Sequence, residues 1–466
     1  MARGDLAIPA RMSRVAVVAP RAHLRDALVQ LADAGTVELV GPLPPAQGEE
    51  LEALRRVERR SPRTGPAHAC VAPEPPNVVE LERRGERALL AGEVELQRRG
   101  EAAVRHGSFA GYIGWTPETE LDGLAERLAK AGAALVEVPT PTWAEPPTLL
   151  RSVRLARPFR PLVETYGPAR YQDIDPTPFV AVSYVLMFGI MFGDVGHGLV
   201  LAALGVVLRR AHGRFSALQS AWPLVAACGV SGIFFGFLYG QFFGPTGVVP
   251  TLWLDPLDEP LHLLAAALIV GAVLLAVSYA IGSVNRWRER GPMAALVAPS
   301  GLAGSAVFLA GALAFMGVAW SRDELVVAGA LLVAVGVALL AVGFFVQAGR
   351  GAGAAAQAVV EVVDAVVRVA ANAVSFARLA AFGLMHGALT AVVYDGSTAL
   401  WSGALVLAAI ALFIAGNAFT FALEALVAGV QALRLEYYEL FSRIFAGEGK
   451  PFSPWSIPIA SREEES

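Results

Sequence analysis

The chain has 466 residues, 55% of them hydrophobic and 17% charged, with a formal net charge of −4. A soluble chain carries roughly 25% charged residues, so this composition excludes a wholly soluble protein, and the negative balance argues against a nucleic-acid binder and gives no general attraction for polyanions. Cys70 and Cys228 are far apart and form no Cys-x-x-Cys, so neither a disulfide framework nor a metal site is indicated.

Residues 1–175 hold most of the charge. The opening MARGDLAIPARMSRVAVVAPRAHLRD has neither a long apolar core nor a small-residue cleavage site, so no signal peptide is expected and this region is expected in the cytoplasm. SRVAVVAP predicts a strand, HLRDALVQLADAG an amphipathic helix closed by a glycine, and TVELVG a second strand. FAGYIGWTP, ETELDGLAERLAKAG and ALVEVP repeat that order, and two β-α-β units suit a small α/β sandwich. Between them EELEALRRVERR and VVELERRGERALLAGEVELQRRGEAAVRHG predict a short antiparallel helical hairpin, interrupted by PRTGPAHACVAPEPP. A solvated face without a partner explains this charge run as well as a binding surface does.

From Pro178 onward the apolar windows are 178–193, 196–209, 219–243, 262–285, 294–319, 323–347, 355–394 and 403–445. The first two fall short of the ~20 residues that cross a ~30 Å hydrocarbon core, which predicts a tilted pair or a re-entrant hairpin. The last two are over-long and are predicted to tilt or project. Arg209, Arg210 and Arg214 follow the second window, Arg286, Arg288 and Arg290 the fourth, Arg350 the sixth, and Arg443, Lys450 and Arg462 the eighth. The alternate loops are nearly free of basic residues. Eight segments with both termini cytoplasmic satisfy this asymmetry. The expected fold is a mostly α membrane protein: a small α/β and helical-hairpin domain over 1–175, then an eight-segment helical domain over 176–466 whose last two helices are long and tilted.

Those two helices carry the chemistry. At about 100° per residue, Glu361, Asp364, Arg368, Asn372, Ser375, Arg378, His386 and Thr390 share roughly a third of one helix's circumference. Asn417, Thr420, Glu424, Gln431, Arg434 and Tyr438 form a stripe on the other. Arginine stays charged at every biological pH, and placing one at bilayer depth costs about 2.5–3.5 kcal/mol. Polar stripes in a membrane are hidden only against each other, a partner or water. Carboxylates and histidines offer protonatable steps, and amides and hydroxyls hold water. The arginines release no proton and suit the attraction of a carboxylate. A purely structural use also fits single residues: Glu424 and Arg434 as an interhelical pair, His386 as a hydrogen bond to a neighbour.

GDVGHG, with Asp194 and His197, reads as a helix cap and turn or as part of a proton path. GVSGIFFGFLYGQFFG is a small-residue ridge for close helix packing. There is no G-x-x-x-x-G-K-[ST], no H-E-x-x-H and no nucleophile elbow, so no nucleotide site or catalytic centre of its own is expected.

PPTLLRSVRLARPFRPLVETYG, DIDPTPF, MFGDVGHG and FFGFLYGQFFG, then SFARLAAFGLMHGAL and LEALVAGVQALRLEYYELFSRIF, resemble the membrane stator subunit of rotary V-type and archaeal-type ATPases, called subunit a or subunit I. The opening SRVAVVAPRAHLRDALVQLADAGTVEL is similar as well. The resemblance implies that Arg378, in the S-x-x-R-L motif, and Arg434, in A-L-R-L, face a rotating ring of proteolipids. It places His386 and Glu424 in proton half-channels, and Gln431 where relatives have histidine or glutamine. Ser375, Asn372, Asn417, Glu361 and Asp364 complete the expected half-channels, the last two carboxylates toward the cytoplasmic end, with Asp194 and His197 structural or channel-lining. Expected partners are the proteolipid ring, peripheral-stalk subunits, the central stalk and ATPase head indirectly, and membrane lipid; no cofactor, metal or nucleic acid is expected. The family's cytoplasmic half usually has long coiled-coil arms and two lobes, and residues 1–175 have room for one lobe and a short hairpin. That bears on stalk attachment more than on conduction. A stand-alone secondary transporter or channel, or a truncated assembly or regulatory paralogue, are the competing readings.

Overall fold

The computed structural model describes residues 9–60, 68–141, 143–150, 156–210, 219–319, 321–348, 352–402, 405–445 and 447–460. Contacts divide the chain into two units: one holds Pro9–Leu150 with Gly449–Ser466, the other Arg151–Glu448 with Met1–Ile8. The boundary therefore differs from the one expected at 175/176: Val163 and Ala169 pack with Val180, Phe441 and Ile444 of the second unit, and the tail after the last membrane helix groups with the first.

In the first unit, β1 (Met12–Pro20), α1 (Leu24–Ala34) and β2 (Glu38–Val40) form one β-α-β unit. β4 (Phe109–Pro117), α5 (Leu121–Lys130) and β5 (Ala134–Glu137) form the other, with β3 (Val104–His106) beside β4. The two units interleave: the order is β2-β4-β1-β5 with every neighbour antiparallel, Val15 opposite Gly114 and Glu137. Leu28, Leu31, Leu124 and Leu128 from the two helices close the core over Val17 and Tyr112. The expected hairpin consists of α2 (Glu49–Arg60), α3 (Val78–Arg84) and α4 (Arg87–Ala102). Its second arm breaks at Gly85, whose φ of 74° ends α3 in the left-handed region.

Residues 450–460 are woven through this unit. Phe452, Trp455 and Ile457 donate backbone N–H bonds to Thr148, Val37 and Ala32 at 3.1, 2.9 and 3.1 Å, and Ala460 N–H and Pro458 C=O both pair with Val71. Trp455 and Ile457 are core residues, and the Arg99 guanidinium lies 5.2 Å from the Trp455 ring. Gly92 is required beneath this crossing, since a Cβ there would lie 1.9 Å from the Cys70 carbonyl oxygen. Residues before the second unit and residues after it thus share the core of the first unit.

In the second unit α6 (Arg160–Tyr166) precedes the apolar helices α7 (Thr177–Met191), α8 (Val195–Leu208), α9 (Trp222–Tyr239), α10 (Pro260–Arg290), α11 (Pro292–Val297), α12 (Leu302–Ala319), α13 (Asp323–Ala348), α14 (Ala352–Ser375), α15 (Ala377–Ala399) and α16 (Val406–Leu435). Among the described residues six segments are long and apolar enough to cross a membrane, and α7 and α8 are shorter apolar helices. This is a multi-pass membrane protein. α7, of 15 residues, extends about 22 Å at 1.5 Å per residue. α8 and α9 pack backbone to backbone: a Cβ on Gly198, Gly205, Gly229 or Gly236 would meet an opposing backbone nitrogen at 2.3–2.6 Å. Met187, Phe192, Leu275, Phe376, Leu379 and Leu435 belong to the core that joins α7, α10, α15 and α16.

Candidate functional site

The seventh apolar window is not one helix. It breaks at Phe376, where Leu379 N–H bonds the Phe376 carbonyl at 3.0 Å in a tightened turn. No proline or glycine causes this. The Phe376 ring is fully buried against Gly271 of α10, where a Cβ would lie 2.2 Å from the ring, and this packing sits at the break. α15 therefore starts anew at Ala377 without a side-chain cap, and Arg378 sits in its first turn. The positive end of the helix dipole adds to the guanidinium there.

Arg378, Arg434, Ser375, Val430, Tyr438 and Glu439 line an open groove of about 640 Å³. Arg434 is exposed and Arg378 half-buried, and Arg378 Nη1 is buried without a hydrogen-bond partner. Neither arginine forms an ion pair among the described residues. The Glu424–Arg434 pair considered from sequence is absent because both lie on α16, and Glu424 turns elsewhere. Past Arg434 the helix widens into a π-turn, Glu436–Phe441, which brings Glu439 toward the groove and buries Glu436 against the Ser183 hydroxyl of α7.

Two turns beyond Arg378, about 12 Å along α15, lies a separate buried cluster. His386 Nδ1 and Glu424 Oε2 share a short hydrogen bond, each side chain under 5% exposed. The His197 ring packs edge-on to that of His386 at 5.6 Å, and Phe192, Phe243 and Phe421 wall the pair. Asp194 caps α8: Oδ1 accepts N–H bonds from His197 and Phe243 at 2.8 and 3.0 Å, and Oδ2 one from Gly244 at 2.9 Å. Asp194 thus caps α8, as one reading of GDVGHG had it, and lies beside this cluster. Polar atoms without a bonding partner crowd here: both ring nitrogens of His197, His386 Nε2, Glu424 Oε1, Asn417 Oδ1 and both amide atoms of Gln241. Asp194, His197 and His386 each offer a donor atom within 4.8 Å of the others, the one such group among the described residues. The loop that follows α9 and carries no basic residue covers this end, with Gly244 against the Thr390 carbonyl.

The remaining expected residues distribute as follows. Glu361, Asp364 and Arg368 of α14, with Arg443, line a cavity of about 210 Å³, where Arg368 and Asp364 pair one turn apart. This cavity is distinct from the His386 cluster, so the single continuous stripe expected from 361 to 390 is divided by the kink. Ser375 bonds back to the Ala371 carbonyl. Gln431 is half-buried, its Oε1 without a partner. The side chain of Asn372 lies outside the described residues. Gln241, Phe192, Phe421, Glu436 and Glu439 were not singled out from sequence. The two glutamates carried a signal, being carboxylates inside an apolar window.

Near the start of α7, outside the membrane segments, buried Asp173 accepts the Arg170 N–H at 3.1 Å. Burial, and then a hydrogen bond to Glu289, push its carboxyl up to about 7. Glu289 in turn bonds Arg286 at 2.6 Å.

Residues 104–253 match the model of the V-type ATPase 116 kDa subunit family. Over 373 residues the chain is 30% identical to A-type ATP synthase subunit I of Thermococcus kodakarensis, covering 73% of this chain and 53% of that protein. The similarity to this family thus runs over about three quarters of the chain. Subunit I of Pyrococcus horikoshii is 28% identical over 366 residues, 74% of this chain and 53% of that protein. The human V-type proton ATPase 116 kDa subunit a 3 is 33% identical over 154 residues, 30% of this chain and 19% of that protein. The chain spans about half the length of the archaeal family members it matches.

Proposed function

We propose that this chain is the non-catalytic membrane stator subunit of a rotary V/A-type ATPase, and that it carries protons to and from a ring of proteolipids that each bear one membrane-embedded carboxylate. The observation that carries the reading is the groove: two arginines on an apolar membrane surface, neither one paired within the described chain. At an effective dielectric near 20, a carboxylate ~4 Å from a guanidinium is attracted by about 4 kcal/mol. That exceeds the roughly 2.5–3.5 kcal/mol cost of one buried arginine. An incoming ring carboxylate is ionised at Arg378 and released as the ring turns.

The two polar regions on either side of Arg378 support two separate half-channels. The His386–Glu424 cluster, with Asp194, His197, Asn417 and Gln241, serves the side of the base-free loop. Glu361 and Asp364, with Ser375 and Asn372, serve the cytoplasmic side, and Gln431 borders the ring face. Both termini are cytoplasmic in this reading, in a cell inner membrane, and the first unit is the attachment point for a peripheral stalk, with the central stalk and ATPase head reached through the ring.

Arg378→Ala in the assembled complex tests this. ATP-driven acidification of reconstituted vesicles should disappear while the ring and head still co-purify. Normal pumping by that variant refutes the assignment, and a chain that purifies alone and carries flux in liposomes favours a transporter.

A further inference from the structure

We propose that Asp194, His197 and His386 form a binding site for a borderline-soft divalent transition metal of the Zn²⁺ class. Donor atoms of three buried residues converge within 4.8 Å. Nε2 of His386 has no hydrogen-bond partner, and the His197 ring nitrogens are met within the protein only by Asn417. Asp194 Oδ2 accepts a single N–H and keeps a lone pair.

The surrounding bonds have the form that metal sites use. A ligating histidine usually gives its second nitrogen to a carboxylate, which fixes the ring and raises its basicity. Glu424 occupies that place on His386 Nδ1. The ligating carboxylate is itself anchored, here by three backbone N–H groups. Two imidazoles and one carboxylate favour zinc over calcium or magnesium, which take six or more oxygen ligands. Bond lengths near 2.0–2.1 Å in a tetrahedron put donors about 3.3 Å apart, so small side-chain rotations close the site. Asn417 Oδ1 and Gln241 Oε1, also without partners, are available to a fourth position or its water.

Metal at this site takes up the lone pairs through which the histidines exchange protons, so occupancy blocks conduction. That consequence rests on the proposed half-channel, whereas binding does not, and the two are measured separately. Untagged full-length protein in detergent, stripped with chelator, is titrated with Co²⁺ and then with Zn²⁺ in competition. One Co²⁺ per chain should bind with the intense visible absorption of four-coordinate cobalt, and Zn²⁺ should bleach it. His197→Ala should weaken binding at least a hundredfold and Glu424→Gln about 10–100-fold. His262→Ala, an exposed histidine, should leave it unchanged. A weak six-coordinate spectrum, or no stoichiometric binding by the wild-type chain, overturns the site whatever the variants do. Equal binding by a folded His197→Ala protein overturns it too. In the assembled complex Zn²⁺ should halt proton flux at the concentration that bleaches cobalt. Binding without inhibition leaves the metal site standing and removes the cluster from the proton path.

Discussion

The His386–Glu424 bond offers a direct separation of structural from proton-handling roles, through Glu424→Gln and Glu424→Ala. Both partners are buried, and the second oxygen of Glu424 has no partner. Glutamine has the same shape and still hydrogen-bonds Nδ1. It exchanges a bond to a charged group, worth roughly 1.5–3 kcal/mol, for a neutral one of about 0.5–1.5 kcal/mol. The expected cost is therefore about 1 kcal/mol, within what a membrane unit of this size tolerates. Alanine strands the imidazole in an apolar wall of Phe192 and Phe421, and removing one partner of a buried pair costs about 3–5 kcal/mol. Thermal unfolding of the detergent-solubilised chain should show a small shift for glutamine and a large one for alanine. Vesicle acidification by the assembled complex should fall at least tenfold in both variants, because glutamine cannot take up and release the proton. Wild-type acidification by Glu424→Gln would show that the pair holds two helices together and moves no proton.

Three further outcomes follow from the packing. Gly271→Val forces a side chain into the Phe376 ring at the break and should destabilise the chain by about 1–3 kcal/mol; an unchanged melting temperature would show that Gly271 does not seat the ring. Trp455→Ala should cost the first unit about 3–5 kcal/mol, read as faster limited proteolysis within residues 9–150, and equal protection would mean the tail is not part of its core. Asp173 binds its proton more tightly when folded, at about 7, than when unfolded, at about 3.9. Its contribution to stability is thus highest below pH 4, falls as pH rises to 7, and is constant above. Asp173→Asn should flatten that part of the stability–pH curve and raise stability at pH 8 relative to wild type; an unaltered slope would refute the shift.

Much of this was legible in the sequence where a local pattern sufficed. The apolar windows, the strands around SRVAVVAP and FAGYIGWTP, and the glycine ridge of α8 and α9 follow from periodicity and residue size alone. What could not be read depends on contacts remote in the chain. The break at Phe376 has no breaker residue, and the glycine packed against it lies on α10. Helical projection across 361–390 assumed one helix, and the break at Phe376 divides it, with Glu361 lining a cavity and His386 in a separate buried cluster. His197 meets His386 only through a ring contact between residues far apart in the chain. The strand order β2-β4-β1-β5 requires knowing that the two β-α-β units interleave, which neither unit announces alone.

The tail of residues 450–460 has a consequence in time. A ribosome adding ~5–20 residues per second completes β5 long before it reaches Trp455, and every membrane helix is made in between. Until then the first unit lacks Trp455 and Ile457 from its core and the strand partner of Val71. Its maturation therefore reports that the whole apolar portion has been synthesised. A chain truncated after any of the apolar helices would leave that sheet without Trp455 and Ile457 in its core.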